Sequence, residues 1–398
     1  MSRILVITPI YPASDIPKGW TPVVHYFALE WVKQGHEVHV INYVANLPNP
    51  VYWVASLFEK RLTSKFGFTV RATTLKDAEY QLDGVNVCRI MLSKTRPHHR
   101  YPTKQIMAAK QKTLDYLRRK DFVPDAIVSH WGNPSVELMY FLKKEYKVPT
   151  CYVAHDAGHF NEYGEDASRY WQAIDVIGYR SASIKRRFET SQEFIKPSFM
   201  CYSGIPASTN ENTVERSFEQ VKTVAYVGTL IKRKYPSQIL SVLKENLGND
   251  FTICYAGVGQ EATTIQSEVQ RLDINKNVKL LGRISRDDVF KLLDESDLFI
   301  MISRNEAFGL VYLEAMARGC ITIASRDEGF DGIIEDGYNG FLCKAGDSTE
   351  LSGIINRILT MSAEQRKQIS DNAMKTAKVL TDENVAKDYL KHVFGKVE

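Results

Sequence analysis

This chain of 398 residues lacks any uninterrupted apolar stretch near the roughly 18 residues that a membrane-spanning helix needs, so no transmembrane helix is expected. It has little cysteine. Cys88, Cys151, Cys201, Cys254, Cys320 and Cys343 are scattered, mostly inside apolar strand-like runs, and none forms a C-x-x-C pair. A disulfide framework or a cysteine metal site is therefore not expected, and the thiols read as small reduced core residues of a cytoplasmic protein. A formal net charge of +4 is too small to imply nucleic acid as a partner. There is no low-complexity tract and no repeat of solenoid period. The opening, Met1 to Pro9, meets a proline too soon for a secretory signal.

What is present is ordinary in bulk, with 44% hydrophobic and 25% charged residues, the composition of a globular enzyme. The length exceeds one ordinary core and predicts two domains. Short apolar runs alternate with amphipathic stretches. Strands are expected at Ile4 to Thr8, Glu37 to Tyr43, Ala126 to Ser129 and Thr150 to Ala154, with helices at Val23 to Gln34 and Ser135 to Tyr146. A second series runs through Val224 to Val227, Phe251 to Tyr255, Val278 to Leu281, Leu298 to Ile302 and Ile321 to Ala324. This alternation predicts parallel sheets covered on both faces, in two Rossmann-like halves joined near residue 205. The boundaries read as 1–205, 206–380 and 381–398, the last a helix returning to cover the first domain.

The most informative stretch runs from Ser303 to Glu314, S-R-N-E-A-F-G-L-V-Y-L-E. It places Glu306 on the turn after a buried strand and Glu314 inside the next helix, which stops at Gly319. Glu314 is flanked by Tyr312, Leu313, Ala315 and Met316, so its carboxylate needs a hydrogen-bonding partner. Gly309 lets backbone approach a ligand at a helix start, where free N–H groups favour an anion.

Other polar residues fall at expected strand ends, where ligands of open parallel sheets bind. They are Gly19 in the first loop, Gly228-Thr229 with Lys232, Arg233 and Lys234, Gly257-Val258-Gly259, Arg283-Ile284, and His155-Asp156. The three cations suit a pyrophosphate or a solvated helix start. His155 suits a substrate hydroxyl; with Asp156 and His159 it fits no closed zinc pattern.

Together these residues resemble the retaining glycosyltransferases of the GT-B fold, in the large group 1 or family 4 class. The likeness is strongest from Val224 to Phe341, where the glutamate motif is followed by Ala315-Met316-Ala317-Arg318-Gly319 and later by Gly337-Tyr338-Asn339-Gly340-Phe341. The resemblance implies an α/β fold of two Rossmann-like domains facing a cleft and a nucleoside diphosphate sugar as donor. It implies that Glu314 holds the ribose hydroxyls and that Glu306 touches the donor sugar near its anomeric centre, with His155 close by. It also implies backbone N–H groups at Phe308, Gly309 and Leu310 on the distal phosphate, Lys234 on phosphate, Gly19 in the first loop, Gly228 with Thr229 at the second domain's first strand, and Arg283 with Ile284 beside the base. No metal or other cofactor is implied, since protein cations take that part. The family usually has arginine where Thr229 stands and glycine where Tyr235 stands, and Arg233 or Lys232 is the candidate replacement.

The expected activity is transfer of a sugar to a glycan or lipid-linked acceptor, in cell-surface polysaccharide synthesis. A nucleotide-sugar epimerase or hydrolase and an inactive sugar-nucleotide-binding subunit are the alternatives. The aromatic and basic segments Tyr52 to Phe68 and Arg96 to Arg100 are read either as a peripheral contact with the inner face of a membrane or as ordinary cover for a sheet edge.

Overall fold

The structure, a computed structural model, describes residues 1–16, 21–58, 73–94, 100–158, 163–164, 166–191, 196–210 and 216–395. Two sheets organise it. The first contains β1 (Arg3–Thr8), β2 (Glu37–Asn46), β3 (Ala78–Leu82), β4 (Val85–Ser93), β5 (Ala126–His130), β6 (Thr150–Ala154), β7 (Val176–Tyr179) and β8 (Ser198–Met200), in the order β3-β4-β2-β1-β5-β6-β7-β8. The second contains β9 (Thr223–Val227), β10 (Thr252–Ala256), β11 (Val278–Gly282), β12 (Leu298–Ile300), β13 (Ile321–Ser325) and β14 (Phe341–Cys343), in the order β11-β10-β9-β12-β13-β14. Every pairing is parallel except β3 with β4.

The apolar runs explain this arrangement. Ile4, Leu5, Val6 and Ile7 are all fully buried, as a strand covered on both faces demands. Leu5 and Ile7 join one core layer, and Ile4 and Val6 join the other. A single large core fills the second sheet's surroundings. In each sheet the strand order reverses once, between β1 and β5 and between β9 and β12. Such reversals leave a crevice at the strands' carboxyl ends.

The β3–β4 hairpin, in which β3 exposes Glu79 and Gln81, and the helix Thr103–Arg119 were not expected from the sequence. It also ran β12 two residues too far. Met301 and Ile302 are buried, but they lie beyond the parallel ladder.

The chain crosses between the sheets at two adjacent points. Ile205 N–H donates to the Leu380 carbonyl at 3.1 Å, and Asp382 N–H donates to the Ile205 carbonyl at 2.8 Å. A Cβ on Gly204 would collide with the backbone of Thr381 and Asp382, so a residue without one is required. After the second crossing the helix Asp382–Val393 packs on Val23–Lys33. Trp31 Nε1 donates to the Ala386 carbonyl at 2.9 Å, and the Tyr389 ring meets Phe27 edge-on. Burying Leu390 and Val393 there stabilises the helix by about 1.5–3 kcal/mol for each side chain.

The helix Asn49–Leu57 occupies part of the segment read as a membrane contact. Tyr52 faces inward, its hydroxyl accepting from Leu47 N–H at 2.9 Å, while Trp53, Leu57 and Phe58 are exposed. The remainder of that segment, including Lys60, Arg61 and Phe68, lies outside the described residues, as do Arg96 to His99. Of the second basic segment, Arg100 is described. It pairs with Asp166 at 3.2 Å and lies 3.6 Å from Glu137, with its guanidinium over Tyr163. Among the described residues no helix is long and apolar enough to cross a membrane.

Candidate functional site

A cavity of about 580 Å³ opens at the carboxyl ends of the second sheet. Val227, Gly228 and Thr229 follow β9, Ala256 to Val258 follow β10, Arg283 and Ile284 follow β11, and Met301 and Glu306 follow β12. Gly309, Leu310, Val311 and Glu314 come from the helix start and its second turn. Thr21, Pro22 and Tyr26 of the first domain close the far side. The cavity therefore sits at the reversal of the second sheet's strand order.

Two glycines make this approach achievable. Gly309 has φ of +84°, and a Cβ there would overlap the Tyr312 ring. A Cβ on Gly257 would overlap the Gly228 carbonyl, so these two strand ends lie backbone against backbone. No side chain caps the helix Leu310–Ala317, which leaves its first-turn N–H groups to the cavity wall.

Glu306 and Glu314 have different companions. Lys234 Nζ lies 2.9 Å from the Glu306 carboxylate, Arg233 lies 3.8 Å away, and Ser303 Oγ donates to it at 3.3 Å. Burial pushes the Glu306 carboxyl up, but Lys234, then Arg233 and Ser303, more than offset this and hold it below its ordinary value. Glu314 is paired with Arg286, whose Nε donates to Oε1 at 2.9 Å. Here burial dominates and Arg286 only partly offsets it, so the Glu314 carboxyl lies above its ordinary value.

Arg233 does not line the cavity. It donates to the carbonyls of Arg304 at 2.8 Å and Asn305 at 3.2 Å, and so pins the turn that carries Glu306. Lys232 is exposed and outside the cavity wall. Tyr235 adopts φ of +48°, the left-handed backbone that glycine takes without cost.

The structure brings Gly228, Thr229, Lys234, Arg283, Ile284, Glu306, Gly309, Leu310 and Glu314 to one cavity. It does not bring Phe308, whose buried ring turns away onto Tyr202 and Phe330 and whose backbone nitrogen is backed by Gly329. Gly19 lies outside the described residues. His155 lies at the end of β6 and is not part of the cavity wall. Its ring stacks on Trp131 at 3.9 Å, and its Nε2 lies 3.0 Å from His130 Nδ1. His130 is buried, within 3.4 Å of the Tyr389 hydroxyl, and burial with Arg180 nearby pushes its pKa down to about 3.

Sequence reasoning missed Tyr26 and Arg286. Tyr26 reaches the site across the domain boundary, which no local pattern announces. Arg286 follows the N-cap Ser285, a position where a solvated first-turn residue is usual. Among the described residues no group of three or more His, Cys, Asp or Glu side chains is arranged to hold a metal.

Comparison with known proteins agrees with this layout. Residues 208–376 match the family model "Glycosyl transferases group 1". The N-acetyl-alpha-D-glucosaminyl L-malate synthase of Bacillus anthracis is 42% identical over 100 residues, covering 25% of this chain but only 26% of that protein. The D-inositol 3-phosphate glycosyltransferase of Corynebacterium efficiens is 26% identical over 308 residues, 69% of this chain and 72% of that one. The Anabaena protein HepE, solved in complex with UDP, superposes over 100% of both chains with a TM-score of 0.70 at 16% identity, which shows the fold. Residues 208–376 are thus similar to the group 1 glycosyltransferases, and the chain has the two-sheet GT-B architecture.

Proposed function

We propose that the chain moves a sugar from a nucleoside diphosphate sugar to an acceptor and that the product keeps the donor's anomeric configuration. The observation that carries this is the pairing of Glu306 with Lys234 and Glu314 with Arg286 in one cavity, with the uncapped helix start at Gly309 in the same wall. Glu314 takes the ribose. Glu306, held ionised by Lys234, takes hydroxyls of the donor sugar near its anomeric carbon. As the anomeric bond breaks, its electron pair leaves with the diphosphate. Lys234 and the N–H groups of Leu310 and Val311 stabilise the growing negative charge. On this reading a divalent ion is not needed for the charge, and transfer is expected to continue in excess EDTA. HepE, a protein of this fold, was solved with UDP, which supports a nucleotide at this position.

The acceptor is a glycan or lipid-linked intermediate, supported by the exposed Trp53 and Leu57 on one short helix of the first domain and Phe58 just beyond it. The protein then acts in the cytoplasm, on the inner face of the membrane. A second reading, a small anionic acceptor, has its own support: two relatives are named for L-malate and inositol 3-phosphate. A thermal-shift screen of nucleoside diphosphates and their sugars fixes the donor, because a ligand bound only by the folded form raises its apparent stability. Transfer assays with that donor then separate the acceptors. The proposal fails if the sugar nucleotide turns over equally fast with no acceptor present, or if the product's anomeric coupling is inverted.

A further inference from the structure

The ion pair at Glu314 is more specific than charge neutralisation requires. Both guanidinium contacts fall on one carboxylate oxygen, Oε1, with Nε at 2.9 Å and Nη2 at 2.8 Å. Oε2 makes no hydrogen bond among the described residues. Nη2 is buried and, although close to Oε1, is not aligned for a hydrogen bond there; it has no acceptor among the described residues. Nη1 also makes no hydrogen bond among the described residues and, unlike Nη2, is not closed off from solvent, so the site presents one unused acceptor, Oε2, and one unused donor, Nη1, side by side. A carboxylate only accepts and a guanidinium only donates, whereas a vicinal diol does both. A neutral diol cannot replace Arg286 as the counter-charge of a carboxylate buried to 7% exposure, so the guanidinium must stay when a nucleoside enters.

Arg286 is also held from across the cleft. Its guanidinium lies 5.6 Å from the ring of Tyr26 in the first domain and 5.6 Å from Phe290 on its own helix. Tyr26 lines the same cavity. A guanidinium fixed between rings loses less freedom when it adds a hydrogen bond.

We propose that Arg286 is the second half of the ribose site: its Nη1 donates to one hydroxyl of the nucleoside's vicinal diol while Glu314 Oε2 accepts from the other, and Tyr26 holds the guanidinium in place from the first domain. This rests on the reading of the cavity as a nucleotide site. It makes ribose recognition depend on both domains.

The test compares UDP, GDP and ADP with their 2′-deoxy forms by calorimetric titration of the full chain, using whichever base binds. Wild-type protein is expected to prefer the ribose form by at least about tenfold, the size of one hydrogen bond to a charged group. Arg286→Met is expected to bring that ratio close to one, Arg286→Lys to leave it intermediate, and Tyr26→Leu to lower it with Arg286 still present. An unchanged ratio in Arg286→Met and Arg286→Lys, with both forms weakened equally, overturns the proposal and leaves the arginine a counter-ion. If Arg286→Met does not fold, Arg286→Lys, which keeps the charge but not the fork, decides the matter. A different failure is seen with Glu314→Ala. Should that variant keep the full ratio, or should no diphosphate bind the wild type, the nucleotide reading itself is lost.

Discussion

The two ends of the cavity use the same side chain for opposite purposes. Glu306 and Glu314 are eight positions apart, both largely buried and each paired with a cation, Lys234 for one and Arg286 for the other. Yet Glu306 is held below its ordinary pKa and Glu314 is pushed above it. The difference lies in the number of partners. Lys234, Arg233 and Ser303 surround Glu306, whereas Arg286 alone opposes the desolvation of Glu314. Their linkage to stability has opposite signs. Glu306 contributes stability above its unfolded pKa, and this is lost as pH falls through the lower folded value. Ionised Glu314 costs stability, and the cost grows as pH rises through its raised value. One end therefore has a carboxylate ready to meet a polarised sugar, and the other has a carboxylate that gains from each further hydrogen bond a ligand brings.

The sharpest way to break this contrast is to remove each carboxylate. Glu306→Ala is expected to lower kcat by about 10²–10³ with little change in donor KM, as for loss of an interaction made mainly in the transition state. Glu314→Ala is expected to raise donor KM by about 10–100-fold and to change kcat less, the loss of a charge-assisted bond worth about 1.5–3 kcal/mol. Steady-state kinetics on both variants check this, and identical profiles would erase the division of labour.

Away from the cleft, Glu137 supplies a third case. It is 2% exposed and lies 3.6 Å from Arg100, and burial, partly offset by Arg100, raises its pKa to about 7. Because the folded value lies above the unfolded one, its contribution is most favourable below about pH 4.5 and declines as pH rises through 7. Glu137→Gln should remove that decline. The difference in urea-unfolding free energy between variant and wild type should move by about 2 kcal/mol from pH 4.5 to pH 8. A pH-independent difference would mean that Glu137 stays ionised in the fold.

The smallest expected effect tests Lys234. Lys234→Met removes the principal cation beside Glu306, so the acidic limb of the kcat/KM profile should move to higher pH. A stationary limb would show that Glu306 is not the group titrating there.

Much of this was legible in the sequence. Strand and helix order through both domains followed from the apolar alternation, and the cavity's second-domain wall from glycines and charges at strand ends. What could not be read was set by packing between distant segments. Tyr26 and Arg286 become neighbours only when the two sheets face one another, and Arg286 reaches Glu314 across 28 positions. Phe308 lies within the recognisable motif, yet its ring serves the domain interface, over Arg180 at 5.2 Å. Polar strands such as β3 escape a reading that looks for apolar runs.

The paired crossings at Ile205 and Asp382 have a practical consequence. Residues 206–380 leave and re-enter the rest of the chain through a doorway two hydrogen bonds wide. Such a segment behaves as a cassette: a relative's counterpart spliced in at both thresholds keeps each sheet whole, whereas a splice at one threshold alone gives the returning helix a crossing partner it has not been fitted to. On the proposed division of labour, exchanging the sugar donor without altering the acceptor then becomes a matter of moving one piece of chain.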